Sequence, residues 1–315
     1  MDRDADRDPS RSSDRSALVT GASGFIGSRI VRRLHADGWR VRAIVRAPDR
    51  STDLAGVEQI LGDFVDPKTA NRAGKGMRVV VHSAATGGSD LETATRVNVD
   101  GTKSMIAAAL ESGADRYIQI STGSVYRLDG LDVVEEDSPR LGPEGDPYGA
   151  TKADADRAVF EHVRADGLRA TILRLGAVQG VHPTSTWGVK VPDRIRTDPD
   201  APSRPRKRSM PWVHVEDVVD AVLLSLGSEA AIGRAYNLVH EHTTWGDYVD
   251  RVRSWFGLDP QPEAEPSVAA AAWTGRFEAR RARTELGFAP KRGYEQGMEE
   301  AAAYWRTRLV TTGSV

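Results

Sequence analysis

An α/β fold built on a doubly wound parallel sheet, followed by a smaller C-terminal region, is what these 315 residues predict. Three observations lead there. From Ala17 onward, short β-branched runs alternate with stretches of helical periodicity, the pattern of strand–helix–strand units that share one sheet. Glycines close successive helical stretches just before the next strand, in "ADGW", "ESGADR" and "ADGLRA". The first strand runs straight into the glycine-rich stretch "VTGASGFIGSRIV", from Val19 to Val31, which reads as a tight turn opening a helix.

Taken in order, "MDRDADRDPSRSSDRS" alternates Asp and Arg around no apolar centre, so residues 1–15 are expected to be a disordered tail and not a signal peptide. Strands are expected at "ALVT", "WRVRAIV", "VEQIL", "RVVVHSA", "RYIQIS" and "RATILRL". Helices are expected from Phe25 to about Ala36, from Leu91 to Ser112 and from Tyr148 to Ala165; in the latter two Ala, Leu, Val and Met recur at helical spacing. Regularity fails after Arg174. The segment "GAVQGVHPTSTWGVKVPDRIRTDPDAPSRPRKRSMPW" is rich in Pro, Gly, Ser and Thr and reads as a largely irregular excursion. Beyond it, "WVHVEDVVDAVLLSL" gives a short strand and an amphipathic helix, "RAYNLV" a further strand, and helices follow around Trp245 to Phe256 and Tyr294 to Arg308. No repeat runs through the chain, which excludes solenoids and propellers.

Composition narrows the function classes. Apolar residues make up 39%, enough for a substantial core. The 43 Lys and Arg against 45 Asp and Glu give a formal charge of −2, not the overall basic field that nucleic-acid binding requires. No stretch approaches the ~20 apolar residues that span a bilayer, so neither nucleic acid nor membrane is expected as a partner. The lack of cysteine rules out disulfides, thiolate metal sites and a cysteine nucleophile, and fits a reducing, cytoplasmic setting. The histidines show no ligand spacing such as H-E-x-x-H, so no metal is expected. The basic run from Arg204 to Arg208 reads either as a solvated loop or as a receiver for a phosphate on substrate or cofactor.

Gly21, Gly24 and Gly27 repeat as G-x-x-G-x-x-G between strand and helix. A dinucleotide cradle needs a tight turn, close backbone approach to a pyrophosphate, close helix–strand packing and a helix N-terminus facing the anion. Phe25 and Ile26 would pack the new helix on the sheet. At the end of the second strand, a NAD-preferring site places an acid for the adenosine ribose, whereas NADP requires that acid absent and a cation near the 2′-phosphate. Here Val45 stands where the acid would be, Arg46 follows and Arg50 is near, so NADP is the cofactor expected, with NAD as the alternative. Asp63, with Phe64 beside it in "LGDFVDP", would accept from the adenine amino group; its plainer role is an Asx turn or helix cap. Ser83, Ala84 and Ala85 end the fourth strand in small side chains against which a cofactor can lie.

Tyr148 and Lys152 stand four apart at the opening of a predicted helix and share one face. A cation beside the phenol would bring its pKa down from ~10 toward the working range. Tyr148 then becomes a general acid/base able to move the proton that accompanies a hydride. The stretches "TGASGFIG", "GDFVD", "VVHSAA", "NVDGT", "ISTGSVY", "YGATK" and "WVHVEDVVDA", in that order from about Ala17 to Val239, resemble the extended short-chain dehydrogenase/reductase family, also called the NAD-dependent epimerase/dehydratase family. The resemblance implies a Rossmann-type core over residues 16–175 that binds the dinucleotide, and a substrate-binding region over 176–315 that returns segments to the core. It implies that Lys152 also holds the nicotinamide ribose. It places the hydroxyl that holds the substrate oxygen four residues before Tyr126, at Thr122, ahead of Ser121 and Ser124. Asn98 in "RVNVDGT" joins the cofactor-binding set, with capping or kinking its helix an equally good account. A homodimer packed through the Leu91 and Tyr148 helices is also implied.

Three reaction types are compatible with that family. Its dehydratases carry an Asp-Glu pair after the catalytic hydroxyl, where this chain has Gly123 and Ser124. Its nucleotide-sugar epimerases show R-x-x-N-x-Y-G-P after the sixth strand; here "RLGAVQGVHP" keeps Arg174 and Gly180 but puts Ala177 and Gln179 in place of the asparagine and tyrosine. "VRAIVRAP" is similar to ketone and aldehyde reductases such as dihydroflavonol-reductase-like enzymes. The expected function is therefore NADPH-dependent reduction of a ketone or aldehyde, a small-molecule substrate. A nucleotide-sugar 4-epimerase or 4-ketoreductase is the alternative, and a non-catalytic NADP-binding regulator a third, disfavoured because both Tyr148 and Lys152 are present. Trp187 and Trp212, either side of the excursion, read as core or interface residues or as the lining of an apolar pocket, core being the commoner role of such side chains.

Overall fold

The computed structural model describes residues 15–47, 56–87, 90–199, 204–262 and 272–312. Residues 1–14 of the expected tail, and Arg50, lie outside the described residues; Arg15 already runs beside the sheet, its carbonyl accepting from Arg40 N at 2.8 Å. Seven strands share one parallel sheet: β1 (Ser16–Thr20), β2 (Arg40–Val45), β3 (Glu58–Leu61), β4 (Val79–His82), β5 (Arg116–Thr122), β7 (Ala170–Leu175) and β10 (Arg234–Leu238). Across the sheet they run β10-β7-β5-β4-β1-β2-β3, with Thr20 opposite His82 and Thr122 opposite Leu175. The order reverses between β1 and β4. In an open α/β sheet such a reversal leaves a crevice beyond the carboxyl ends of the strands. The doubly wound sheet expected from the sequence is the fold this chain adopts.

The helices, in chain order, are α1 (Phe25–Ala36), α2 (Pro67–Gly74), α3 (Leu91–Ala94), α4 (Gly101–Ser112), α5 (Pro147–Asp166), α6 (Val191–Thr197), α7 (Val215–Leu226), α8 (Trp245–Ser254), α9 (Arg280–Leu286) and α10 (Tyr294–Thr312). Alternation along the strands sorts the core into two layers. Leu18 and Val80 pack with Met105 and Ile106 of α4 and Val159 of α5. Val19 and Val81 point the other way, onto Ile30 and Leu34 of α1 and Val218 and Val222 of α7.

Local chemistry explains the helix that matters most. α5 is capped by Asp146, whose side chain accepts from Gly149 N at 3.0 Å; Pro147 sits in its first turn, and Gly167, at φ +70°, closes it. The expected helix from Leu91 to Ser112 forms as α3 and α4 joined by a π-helical turn, Thr95–Asp100. Such turns insert one extra residue per winding and redirect side chains near sites.

The excursion after Leu175 is more ordered than its composition suggested. It holds the strand β8 (Ala177–Gln179) and a π-helical turn, Thr186–Lys190, that continues into α6. Ser185 caps that turn by accepting from Gly188 N, and Pro192 falls in the first turn of α6, where its missing N–H costs nothing. The Ser, Thr and Pro that read as loop are start signals of a helix. Strand β9 (Ser209–His214) lies between β8, parallel, and β11 (Glu241–Thr244), antiparallel, while β6 (Val133–Val134) pairs with β12 (Arg276–Phe277).

Trp212 does not line a pocket. It is buried in an aromatic core with Trp187, Tyr248 and Tyr294, ring centroids 5.2–5.7 Å apart, and its indole N–H donates to Thr243 Oγ1 at 2.7 Å. Trp187 is the partly exposed edge of this core, because the short sheet and α8 need a shared apolar interior. The basic run is only partly a solvated loop: Arg206 pairs with both oxygens of Asp250, and Arg204 lies 5.4 Å over the Trp245 ring. The last quarter of the chain is tied to the core by buried Asp217 of α7, which accepts from Lys291 N and Arg292 N, each at 3.1 Å, and from the Arg292 guanidinium at 2.9 Å.

Candidate active site

The crevice at the β1–β4 reversal is walled by backbone. Gly21 adopts φ +67°, and a Cβ there would come 2.9 Å from Ala84 N. At Gly27, in the first turn of α1, a Cβ would lie 2.1 Å from the Gly21 carbonyl oxygen, so only glycine lets helix and strand close this far. Gly24 precedes α1, offers no side-chain cap, and donates its own N–H to Gly21 O at 2.8 Å. α1 therefore begins with backbone N–H groups that side chains of its own turn do not satisfy; Phe25 N instead donates to Thr184 Oγ1 at 3.0 Å, from the loop after β8. Phe25 is buried and stacks on His182, and Ile26 packs on the core. A cradle that a single methyl group would fill, headed by a helix N-terminus, fits the pyrophosphate of a dinucleotide.

Behind it, Thr20 ties β1 to β4. Its Oγ1 accepts from Ser83 N (3.2 Å) and Ala84 N (3.1 Å), so its hydrogen goes to His82 Nδ1 at 2.7 Å and the ring carries its own hydrogen on Nε2. Burial, and secondarily the Lys152 charge, push His82 down to about 3, so the imidazole is neutral. Phe64 meets His82 edge-on, 5.3 Å between centroids, and fills the space under Gly101. Ser83 and Ala84 are half-buried and Ala85 is exposed at the end of this wall.

Two residues of the expected cofactor set also have structural roles. Asn98 is buried in the π-helical turn; its Oδ1 accepts from Thr86 N (2.9 Å), and its Nδ2 donates to Thr86 O and Thr151 Oγ1 (both 3.0 Å). It pins the loop after β4 to α5. Asp63 makes the Asx turn, Oδ1 accepting from Val65 N at 3.1 Å, while Oδ2 pairs with Arg96 at 3.1 Å. Arg46 is exposed at the carboxyl end of β2, next to buried Val45. Opposite Val45 in register stands Leu61, 55% exposed, an apolar side chain at the crevice rim that sequence reading passed over. Its signal was a leucine closing a strand with no apolar helix to receive it.

Thr122 closes β5 and Tyr148 opens α5, near enough for the Thr122 side chain to act on the phenol, while the Thr122 hydroxyl donates to Ser124 Oγ at 3.3 Å. Thr122 Oγ1 also accepts from Ser124 N at 3.1 Å. Ser121, the flanking alternative, is buried and faces α5, and Ser124 is exposed. Lys152 departs from expectation. Its Nζ donates to Ile120 O at 2.9 Å, and the phenol of Tyr148 is raised, not lowered: burial lifts it, the Thr122 side chain pulls it down, and Asp146 and Asp156 lift it further. Residues four apart do share a helical face, but the two side chains reach β5 two residues apart, the tyrosine at Thr122 and the lysine at Ile120. Burial brings Lys152 down to about 8, opposed by Asp156.

Beneath this pair lies a network the sequence did not announce. Arg174 Nε donates to Asp156 Oδ2 at 2.8 Å, and its Nη1 donates to Tyr126 OH (2.8 Å) and Glu136 O (2.7 Å). Tyr126 OH passes its hydrogen to Asn237 Oδ1 at 2.7 Å, linking the segment after β5 to β7 and β10. The only hint was a carboxylate four residues beyond Lys152 on the inner face of α5. Among the described residues, no three or more His, Asp or Glu gather as metal ligands, and no helix is long and apolar enough to cross a membrane.

Comparison with known proteins agrees with this geometry. A model of the NAD dependent epimerase/dehydratase family matches residues 17–238. The chain is 32% identical over 203 residues to ceramide reductase of Caulobacter vibrioides, covering 63% of this chain but only 57% of that relative's length. It is 28% identical over 328 residues to dTDP-glucose 4,6-dehydratase of Streptomyces griseus, covering 95% of this chain and 98% of the other. Among solved structures, MoeE5 in complex with UDP-glucose and NAD is similar with a TM-score of 0.76 at 26% identity, covering 94% of this chain and 99% of that one. With its strand order, its glycine turn and a family match over most of its length, the chain belongs to the NAD-dependent epimerase/dehydratase family, the extended short-chain dehydrogenases/reductases.

Proposed function

We propose that the protein reduces a ketone or aldehyde with NADPH, with Tyr148 as the proton donor, Thr122 holding the carbonyl oxygen and Lys152 as the buried cation of the site. The observation that carries this reading is the placing of Tyr148 at the start of α5 near Thr122 at the end of β5, with Lys152 buried one turn further on and the phenol raised by burial. A phenol held above its ordinary range is a donor, which is what forming an alcohol from a carbonyl requires. Gly21, Gly24, Phe25, Ile26 and Gly27 would hold the pyrophosphate, Ser83, Ala84 and Ala85 would line the dinucleotide, and Arg46 would meet a 2′-phosphate in the absence of an acid at Val45. A bound nicotinamide supplies the hydride. Tyr148 gives its proton to the carbonyl oxygen, and Thr122 fixes that oxygen by a hydrogen bond. At Gly123, where the family's dehydratases carry an acid, Phe277 packs so close that a Cβ would lie 2.8 Å from its ring, so no carboxylate stands there to drive loss of water.

One observation favours a second reading, a nucleotide-sugar 4-epimerase or 4-ketoreductase. Arg204 is brought down both by burial and by the charge of nearby Arg208; two neighbouring guanidinium groups suit a diphosphate. The similarity to MoeE5, whose structure contains UDP-glucose, points the same way. The test is to follow NADPH absorbance with a panel of ketones and aldehydes, and with UDP-glucose in parallel. Net NADPH consumption with a carbonyl compound is expected, falling by a factor of roughly 10²–10⁴ in Tyr148→Phe while NADPH affinity is retained. Interconversion of sugar nucleotides with no net cofactor consumption would move the assignment to the epimerase.

A further inference from the structure

α5 carries a third functional group in line with Tyr148 and Lys152. Asp156 follows Lys152 by four residues, so it lies one turn further along the same face, the face that packs on β5 and β7. Asp156 and its partner Arg174 are fully buried, and Lys152 is 2% exposed. Buried charges persist only where partners balance them. Here Arg174 pairs directly with the carboxylate, and Lys152, one turn back on the same buried face, feels its charge without touching it. Arg174 takes Asp156 Oδ2, but Oδ1 has no protein hydrogen-bond partner, and neither has Arg174 Nη2 nor Ser121 Oγ, which stands opposite Arg174 in the β5–β7 register. The carboxylate is therefore not spent on Arg174 alone. The acceptor of Lys152 is a neutral carbonyl, that of Ile120, which gives little help in keeping a buried ammonium charged.

We propose that Asp156 is a positioning residue for the reaction: from within the buried face of α5 it keeps the Lys152 ammonium charged and aimed along β5, and Arg174 sets how much of the carboxylate's charge Lys152 receives. This rests on Lys152 serving as a cation in the proposed reduction. The downward displacement of Lys152 by burial, opposed by Asp156, has the sign the arrangement requires. The other groups facing Lys152 cannot replace Asp156. Tyr148 is a protonated phenol on the same helix, His82 from β4 is neutral, and Arg174 from β7 is a like charge. Around the ion pair stand Arg140, Tyr126 and Glu136, and Glu136 is engaged by Asn237 N at 2.9 Å and by Arg281 at 3.6 Å.

The experiment is a titration of ¹³Cε-labelled lysines by NMR in the full-length, cofactor-free protein, with the Lys152 resonance assigned by its loss in Lys152→Met. The chain has few enough lysines for the signals to be separated. In Asp156→Asn, which keeps an oxygen for Arg174, the Lys152 midpoint is expected to fall by about one pH unit or more. In Arg174→Gln it is expected to rise, and Asp156→Glu should return it toward the wild-type value. An unmoved midpoint in Asp156→Asn would overturn the proposal, since a merely structural aspartate lowers Tm without changing that titration. Should Asp156→Asn fail to fold, a midpoint that does not rise in Arg174→Gln overturns it equally. The readout needs no turnover: if the midpoint moves but the alkaline limb of kcat/KM does not follow it, the coupling stands and the role of Lys152 in the proposed reaction falls.

Discussion

On the β1–α1 side of the crevice, the construction is backbone and neutral groups: Gly21, Gly24 and Gly27 at the turn, and behind them the Thr20 hydroxyl and an imidazole that burial keeps uncharged. On the β5–α5 side, the parts that would handle a proton stand on buried charge: Lys152, Asp156 and Arg174 within one layer of side chains. The first side tolerates no added atom and the second tolerates no lost charge. Each construction suits its task, because close approach to an anion needs bare N–H groups, whereas tuning a proton donor needs fixed charges in a low-dielectric setting.

Acid gives the largest way to break the neutral side. His82 binds its proton at about 3 in the folded protein and at its ordinary 6.5 when unfolded. Between those values the unfolded chain holds more protons, so the stability present above pH 6.5 drains away as pH falls toward 3, by an amount on the order of 5 kcal/mol. Denaturant unfolding followed against pH should show this limb in the wild type and a shallower one in His82→Gln; limbs of equal depth would place the loss elsewhere. Next in size is Gly27→Ala. The added methyl meets the Gly21 carbonyl, and overpacking of this kind costs roughly 2–3 kcal/mol, read as a drop in Tm together with loss of NADPH binding. A variant that melts like the wild type would show that α1 can slide away from β1 and that the close approach is dispensable. The smallest effect sharpens the cofactor assignment: Arg46→Ala is expected to weaken NADPH about tenfold, ~1.4 kcal/mol, and leave NADH unchanged. Equal losses for the two would remove Arg46 from the 2′-phosphate.

The same contrast explains what could be read from the sequence. The glycine spacing, the alternation of strands with helices and the four-residue step from Tyr148 to Lys152 are local patterns, each decided within a few residues of chain, and the main strands and helices formed where those patterns placed them. The pairing of Asp156 with Arg174 depends on how α5 lands on β7, and nothing in either neighbourhood states it. For the same reason Lys152 was expected beside the Tyr148 hydroxyl, when a shared helical face fixes only the direction of a side chain and not the point on β5 it reaches. For Trp212 the sequence left pocket wall and core both open, because the aromatic residues that cover it, Tyr248 and Tyr294, lie far along the chain. Helix α9 escaped notice because seven residues with two buried positions, Ala282 and Leu286, are too short for periodicity to register. Thr184, which reaches the first N–H of α1 from the loop after β8, carried no sequence signal at all.

The four-residue steps from Tyr148 to Lys152 to Asp156 also constrain heredity. Each step is close to one turn, so adding or removing a single residue between them would swing everything downstream by about 100° around the axis of α5. An insertion between Tyr148 and Lys152 would part those two, and one between Lys152 and Asp156 would part Lys152 from the Asp156–Arg174 pair. Point changes along the outward face of α5 leave these alignments untouched, but a one-codon insertion or deletion on that stretch puts at least one of Tyr148, Lys152 and Asp156 out of phase with the others. A descendant of this chain can trade many of its letters here and still must keep their count.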